Sequence, residues 1–271
     1  MEQSEQHSNK FTIPFAIVIA GALIAGAVYL ANTKNNPKIV SQNATNDQTQ
    51  ATAVSADLNI RPISSADHFL GDPNAPVKMF VYTDTECPFC KEFHSTMQSV
   101  MSAFGSEGKV VWIYRHFPLQ QLHTKAPQEA IATECAASLG GQSAFWKYVN
   151  EIFKVTPSND GLDPNQLPVI AKDAGLNVDD FNTCLSSGKF ESEVKADFDE
   201  AINAGGRGTP FIIFTVKNSL SASQIATING LASTFPPGTL TLASDNKHVV
   251  MSGALPGIIV TNIINALLGT S

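Results

Sequence analysis

Cys87 and Cys90, separated by Pro88 and Phe89, stand between two stretches of different periodicity. Val77–Asp84 (VKMFVYTD) is β-rich and alternating, the pattern of a strand. From Cys87 to about Phe104, the residues Phe93, Met97, Val100, Met101 and Phe104 recur at helical spacing, which predicts an amphipathic helix closed by Gly105 and Gly108. Lys109–His116 (KVVWIYRH) reads as a second strand. Strand, helix and strand in so short a span make a βαβ unit, right-handed with parallel strands. The cysteine pair therefore opens a helix directly after a strand.

That location gives the pair a chemistry. At a helix N-terminus, free backbone N–H groups and the positive end of the dipole favour a thiolate at the first cysteine. The thiolate is the nucleophile of thiol–disulfide exchange. Cys90, one turn further on, is placed to attack a mixed disulfide formed at Cys87. Pro88 fits the first helical turn, where its missing N–H costs little, and Phe89 supplies an apolar rim. Zinc competes for such a pair but takes four ligands. Cys135 and Cys184 form no second close pair, and His94 adds only a third donor. A c-type haem site needs histidine directly after the second cysteine, where this chain has Lys91. Two inert thiols are the remaining alternative.

The rest of the folded part reads as a block of helices at Pro127–Leu139, Ser143–Phe153, Pro164–Ala174, Val178–Leu185 and Phe190–Ala204. Asp163 before Pro164 reads as an N-cap with proline at the first helical position. Strands follow at Phe211–Val216 and Lys247–Ser252, and a last helix at Pro256–Leu268. Residues 217–246 are polar and Gly/Pro-punctuated, and read as a loop insertion without clear period. The order βαβ, helices, ββα predicts an α/β fold with a mixed sheet covered on both faces.

Ahead of this domain, residues 11–31 carry no charge and are dominated by Ile, Val, Ala, Leu and Gly. About 20 apolar residues span a bilayer core as a helix, so the stretch reads as an uncleaved membrane anchor rather than a signal peptide. Residues 1–10 form a short tail, residues 32–56 a polar linker, and residues 57–271 the folded domain. Lys34 and Lys38 outnumber Lys10 across the stretch, so the positive-inside rule does not favour a cytoplasmic N-terminus. The cysteine chemistry instead places the domain on the extracytoplasmic side. A net charge of −7, with no basic run interleaved with aromatics, argues against nucleic acid as a ligand.

Thr83-Asp84-Thr85-Glu86-Cys87-Pro88-Phe89-Cys90 resembles the active-site entry of the DsbA/BdbD-like branch of the thioredoxin superfamily. Arg115-His116-Phe117-Pro118-Leu119, Glu134-Cys135-Ala136-Ala137, Phe145-Trp146, Gly208-Thr209-Pro210 and Gly253-Ala254-Leu255-Pro256 look like the same family. The likeness covers roughly residues 64–216 and 247–269. It implies a thioredoxin fold with an inserted helical domain at about 120–204, and a cis Thr209–Pro210 bond opposite the cysteine pair. Members often carry a second, non-catalytic cysteine pair, which Cys135 and Cys184 match; two buried free thiols are the plainer alternative. Family oxidases often have histidine within the motif. Phe89 stands there instead, and the acidic Asp84 and Glu86 oppose a thiolate at Cys87, so a weaker oxidant is expected.

The reading is a membrane-anchored extracytoplasmic thiol–disulfide oxidoreductase that introduces disulfides into exported proteins. Cys87 and Cys90 are catalytic, Pro88, Phe89, Thr209 and Pro210 support them, and Cys135 and Cys184 form a structural disulfide. No cofactor or metal is expected beyond the Cys87–Cys90 disulfide itself. The partners expected are exported proteins bearing thiols, a membrane redox protein that recycles the pair, and the bilayer through residues 11–31. A reductase or isomerase, and a non-catalytic binding or assembly factor, are the alternatives. His116 and His123 read as surface or rim histidines, and Lys91 as a group either supporting the thiolate or simply exposed.

Overall fold

The computed structural model describes residues 58–270. Its centre is a six-stranded sheet in the order β1-β3-β2-β4-β6-β5. The strands are β1 (His68–Leu70), β2 (Val77–Thr83), β3 (Val110–His116), β4 (Phe211–Val216), β5 (Leu240–Leu242) and β6 (His248–Ser252). β2 and β3 run parallel, and every other neighbouring pair is antiparallel. The central strands are apolar along almost their whole length because both faces are covered. Val77, Met79 and Val81 enter one core with Trp112, Ile212 and Phe214. Phe80 and Tyr82 enter the other with Ile113, Phe211 and Ile213.

Helix α1 (Pro88–Val100) buries Cys90, Phe93, His94, Met97 and Val100 against the first core, and widens into one π-helical turn at Met101–Gly105. The same core holds Val260, Ile263, Ile264 and Leu267 of the last helix, α7 (Gly257–Leu268). Helices α2 (Ala126–Val155), α3 (Gln166–Asp173) and α4 (Val178–Ser186) form the inserted block, with α5 (Glu191–Asn203) leading back to β4. The two helices expected at 127–139 and 143–153 run together in α2, broken at Gly141, whose φ of 68° favours glycine. The regular part of α3 starts at Gln166, and Asp163 caps the turn that leads into it: its carboxylate accepts from the Asn165 N–H at 2.9 Å and its carbonyl from the Gln166 N–H at 2.8 Å. Cys135 of α2 and Cys184 of α4 are joined as a disulfide within the third core, beside Phe181 and Ile170.

Three elements were not expected. β1 pairs antiparallel with β3 at one sheet edge. The stretch 217–246, read as an irregular insertion, holds helix α6 (Ala222–Ala232) and the edge strand β5. Ser221 and Gln224 close a reciprocal capping box at the start of α6, and Ser-x-x-Gln was a usable sequence signal.

The membrane-anchored part of the expectation is corrected. Among the described residues no helix is long and apolar enough to cross a membrane. The longest, α2, is interrupted at Gly141 and carries Glu129, Glu134, Lys147, Glu151 and Lys154, each costly in a bilayer core. The anchor expected over residues 11–31, with the tail 1–10 and the whole of the linker 32–56, lies outside the described residues. The fold is thus a thioredoxin fold with an inserted helical block, and the transmembrane helix, the cell-membrane localisation, the extracytoplasmic side and the partner reached through the bilayer are dropped.

Candidate active site

The antiparallel register of β2 and β4 pairs Tyr82 with Phe211, so the end of β2 lies beside the start of β4. The loop leaving β2 brings Cys87 to the N-cap of α1, and the loop entering β4 brings Thr209 and Pro210 opposite it. The Thr209–Pro210 bond is cis. The Cys87 thiol reaches the Thr209 carbonyl oxygen at 3.4 Å. Cys87 has extended backbone geometry, and its carbonyl accepts from the Cys90 and Lys91 N–H groups at 3.1 Å each.

Both cysteines are free thiols and largely buried, but their environments push them apart. The Cys90 thiol donating to Cys87 is the largest effect on Cys87. Burial opposes ionisation, and the Thr209 side chain and the N–H groups of Cys90 and Phe89 favour it; together they lower the Cys87 pKa to about 6. Burial, and then the Cys87 thiolate itself, raises that of Cys90. One sulfur is therefore a nucleophile at neutral pH and the other a protonated thiol. Phe89 between them is 61% exposed and forms an apolar rim. Lys91 donates to the Thr156 carbonyl at 2.6 Å, not to either sulfur.

The two acids expected to oppose the thiolate are both engaged elsewhere. Asp84 is almost wholly buried, and its carboxylate accepts from the Glu86 N–H (2.8 Å), the Leu119 N–H (2.7 Å) and His123 Nδ1 (2.9 Å). The Glu86 carboxylate accepts from the Gly161 and Leu162 N–H groups, at 3.2 Å each. His116 and His123, read as rim histidines, are both buried against carboxylates. His116 Nε2 lies 2.7 Å from Glu134, which His68 also reaches at 3.0 Å. Burial works against the Glu134 charge, but these bonds outweigh it and hold its pKa down to about 2.

Glu129 of α2 escaped the sequence reading, since nothing in its spacing separates it from a solvated helical glutamate. It is 2% exposed, and its Oε2 has no hydrogen-bond partner among the described residues. Burial, and then the neighbouring Glu86 carboxyl, push its pKa up to about 9 from an ordinary 4.5. A folded-state pKa raised this way contributes stability that is complete below the unfolded value and is lost as pH rises through the folded one. At pH 7 the fold therefore holds a proton that the unfolded chain has released. Glu129→Gln keeps the shape without that linkage. It is expected to stabilise the protein at pH 7 by roughly 2–3 kcal/mol and to flatten its urea midpoint between pH 5 and 8. An unchanged pH slope in the variant would refute the buried, protonated state.

Residues 64–229 match a family profile described as thioredoxin. Among solved structures, the chain resembles DsbA2 of Pseudomonas aeruginosa at 24% identity and a TM-score of 0.55, covering 74% of this chain and 94% of that one. It resembles alpha-DsbA1 of Wolbachia pipientis at 24% identity and a TM-score of 0.57, covering 75% and 91%. For oxidised BdbD from Bacillus subtilis the values are 24%, 0.52, 61% and 90%. These likenesses show the fold. Among curated relatives, 161 residues are 31% identical to part of the Na(+)/H(+) antiporter NhaA 1 of Mycolicibacterium gilvum, 58% of this chain and 25% of that protein. With the NhaA 1 of Salinispora arenicola the identity is 26% over 193 residues, 71% of this chain and 28% of that protein. The chain thus spans about a quarter of the length of these relatives.

Proposed function

We propose, from the premise that this chain belongs to the thioredoxin family matched over residues 64–229, that it is a disulfide donor to protein thiols. It has a thiol–disulfide oxidoreductase active site whose redox centre is the intrinsic Cys87–Cys90 pair. The observation that carries the reading is the placement of Cys87 at the N-cap of α1 against the Thr209 carbonyl, with Cys90 buried one turn behind it. The asymmetry of the two sulfurs, Cys87 lowered to about 6 and Cys90 raised, favours the donor direction. A stabilised thiolate favours the reduced pair and so makes its disulfide a better oxidant.

The step balances as follows. In the oxidised protein a substrate thiolate attacks Cys87 Sγ. A substrate–Cys87 bond forms, the Cys87–Cys90 bond breaks, and the electron pair leaves on Cys90 Sγ, which takes up a proton. A second substrate thiolate then attacks the substrate sulfur of the mixed disulfide and releases Cys87 as thiolate. Two substrate thiols become one disulfide, and the protein becomes a dithiol. Return to the disulfide needs an external disulfide as oxidant, such as oxidised glutathione.

Pro88 opens α1, Phe89 presents an apolar surface to the substrate, and Thr209 and Pro210 shape the groove opposite Cys87. The Thr209 hydroxyl supports this: it is buried, without a partner among the described residues in the dithiol state, and a Cys87 thiolate gives it an acceptor. Cys135 and Cys184 hold the helical block and take no part in exchange. The antiporter names of the partial relatives belong to those proteins, and no ion transport is proposed for this chain.

Equilibration in glutathione buffers tests the direction. A reduction potential of about −120 to −180 mV, at the oxidising end of known exchangers, is expected of a donor. A value near about −270 mV would make the domain a reductant.

A further inference from the structure

We propose that His123 supplies the positive charge that keeps the Cys87 sulfur ionised, acting through Asp84 as a positioning residue. The inference deepens the exchange reading above and rests on it.

The cysteine motif brings no cation of its own to the sulfurs. Pro88 and Phe89 are uncharged, and the Lys91 ammonium is bound to the Thr156 carbonyl. The segment before it brings two acids. Glu86 is held by the Gly161 and Leu162 N–H groups. Asp84 is the residue that touches both sulfurs' settings: its carbonyl accepts from the Cys87 N–H at 3.2 Å, and its own N–H reaches Cys90 Sγ at 3.5 Å. A buried carboxylate three residues before the nucleophile, left uncompensated, raises the cost of a second negative charge beside it. His123 Nδ1, 2.9 Å from Asp84 Oδ2, is the side chain that compensates it.

The remaining charged groups nearby are occupied. Asp160 accepts from the Thr124 hydroxyl and from the Thr124 and Lys125 N–H groups. The Lys125 ammonium donates to the Asp160 and Leu162 carbonyls. Glu129 on α2 is neutral at pH 7, its pKa pushed up to about 9. Burial keeps the Tyr114 phenol on β3 protonated. Burial pulls the His123 pKa down, but the bond to Asp84, with the Asp84, Cys87 and Asp160 charges, outweighs it and raises it. The imidazolium is thus favoured in the pH range where Cys87 ionises.

The test is the Cys87 thiolate titration, followed by absorbance at 240 nm in the reduced protein, with wild type, His123→Ala, His123→Gln and the double variant Asp84→Asn/His123→Ala. Urea midpoints confirm that each is folded. His123→Gln can keep a hydrogen bond to Asp84 without the charge, so it covers the case in which alanine unfolds the loop. Both single variants are expected to move the Cys87 midpoint up by at least half a pH unit, a threefold loss of thiolate. Removing the Asp84 charge as well is expected to bring the midpoint back, which a purely structural role would not do. Folded single variants that titrate like wild type, or a double variant left as high as the singles, would overturn the proposal. A wild-type midpoint in the ordinary thiol range would instead overturn the exchange reading on which it rests.

Discussion

Replacing Cys87 by alanine is expected to reduce disulfide transfer to the uncatalysed background, while Cys90→Ala leaves a protein that reacts once and stalls. The difference follows from geometry. Cys87 sits at the N-cap of α1, facing the Thr209 carbonyl, with backbone N–H groups behind its sulfur. Cys90 is 2% exposed and lies under the first turn of the helix, where burial keeps it protonated. Cys87, 5% exposed, has the more accessible sulfur and the one favoured as thiolate, so it is expected to meet the substrate first. Challenged with oxidised glutathione, Cys90→Ala is expected to accumulate a mixed disulfide at Cys87 that intact-mass spectrometry detects and added dithiothreitol removes. Wild type passes through the same adduct but resolves it with Cys90. An adduct on Cys90 in Cys87→Ala, formed as fast as that on Cys87 in Cys90→Ala, would reverse the assignment of roles. Both substitutions remove a small buried side chain, so urea unfolding with each active-site pair reduced separates lost chemistry from lost fold.

The second large effect falls on stability. The Cys135–Cys184 disulfide closes a loop between residues 49 apart in sequence and fastens α2 to α4. In the chain-entropy account, opening a loop of that size costs about 4 kcal/mol. Cys135→Ala/Cys184→Ala is expected to lose most of that in urea unfolding. Cys135 is fully buried among Tyr148, Ile152 and Phe181, and alanine there adds a small cavity cost. The Cys87 titration is expected to stay where it was, because the bridge belongs to the helical block's own core and the redox pair to the sheet's. A loss below about 1 kcal/mol would mean that the block holds together without its bridge.

The central βαβ unit and the site it carries were legible because their signals are local. Apolar runs mark the buried strands, and the helix begins where a proline follows the first cysteine. The elements misread were those whose formation depends on distant partners. His68-Phe69-Leu70 is too short to show a period, and becomes a strand only because β3 offers a free edge. Leu240–Leu242 does the same against β6. Helix α6 had a local signal in Ser221 and Gln224, hidden by a polar stretch with little amphipathic contrast.

Charge partnership at the site was the least legible. Asp84 and Glu86 read as neighbours hostile to a thiolate because sequence places them next to Cys87. Folding turns one toward His123, 39 residues along the chain, and the other toward Gly161 and Leu162. The buried charges on the other face of the sheet follow the same rule. Arg115, 1% exposed within an apolar strand, is satisfied by Asp67 and Glu200 from two separate segments. Such long-range pairings leave no spacing for a sequence to display.

The most direct test of the account is the pH titration of Cys87 in the reduced wild-type protein, read as thiolate absorbance and checked by the pH dependence of alkylation mapped to Cys87. A single midpoint near 6 at Cys87, with Cys90 unreactive until the protein unfolds, is the result expected of a nucleophile held ionised at neutral pH. A midpoint at or above the 9.0 of an ordinary thiol, or alkylation appearing first at Cys90, would contradict it.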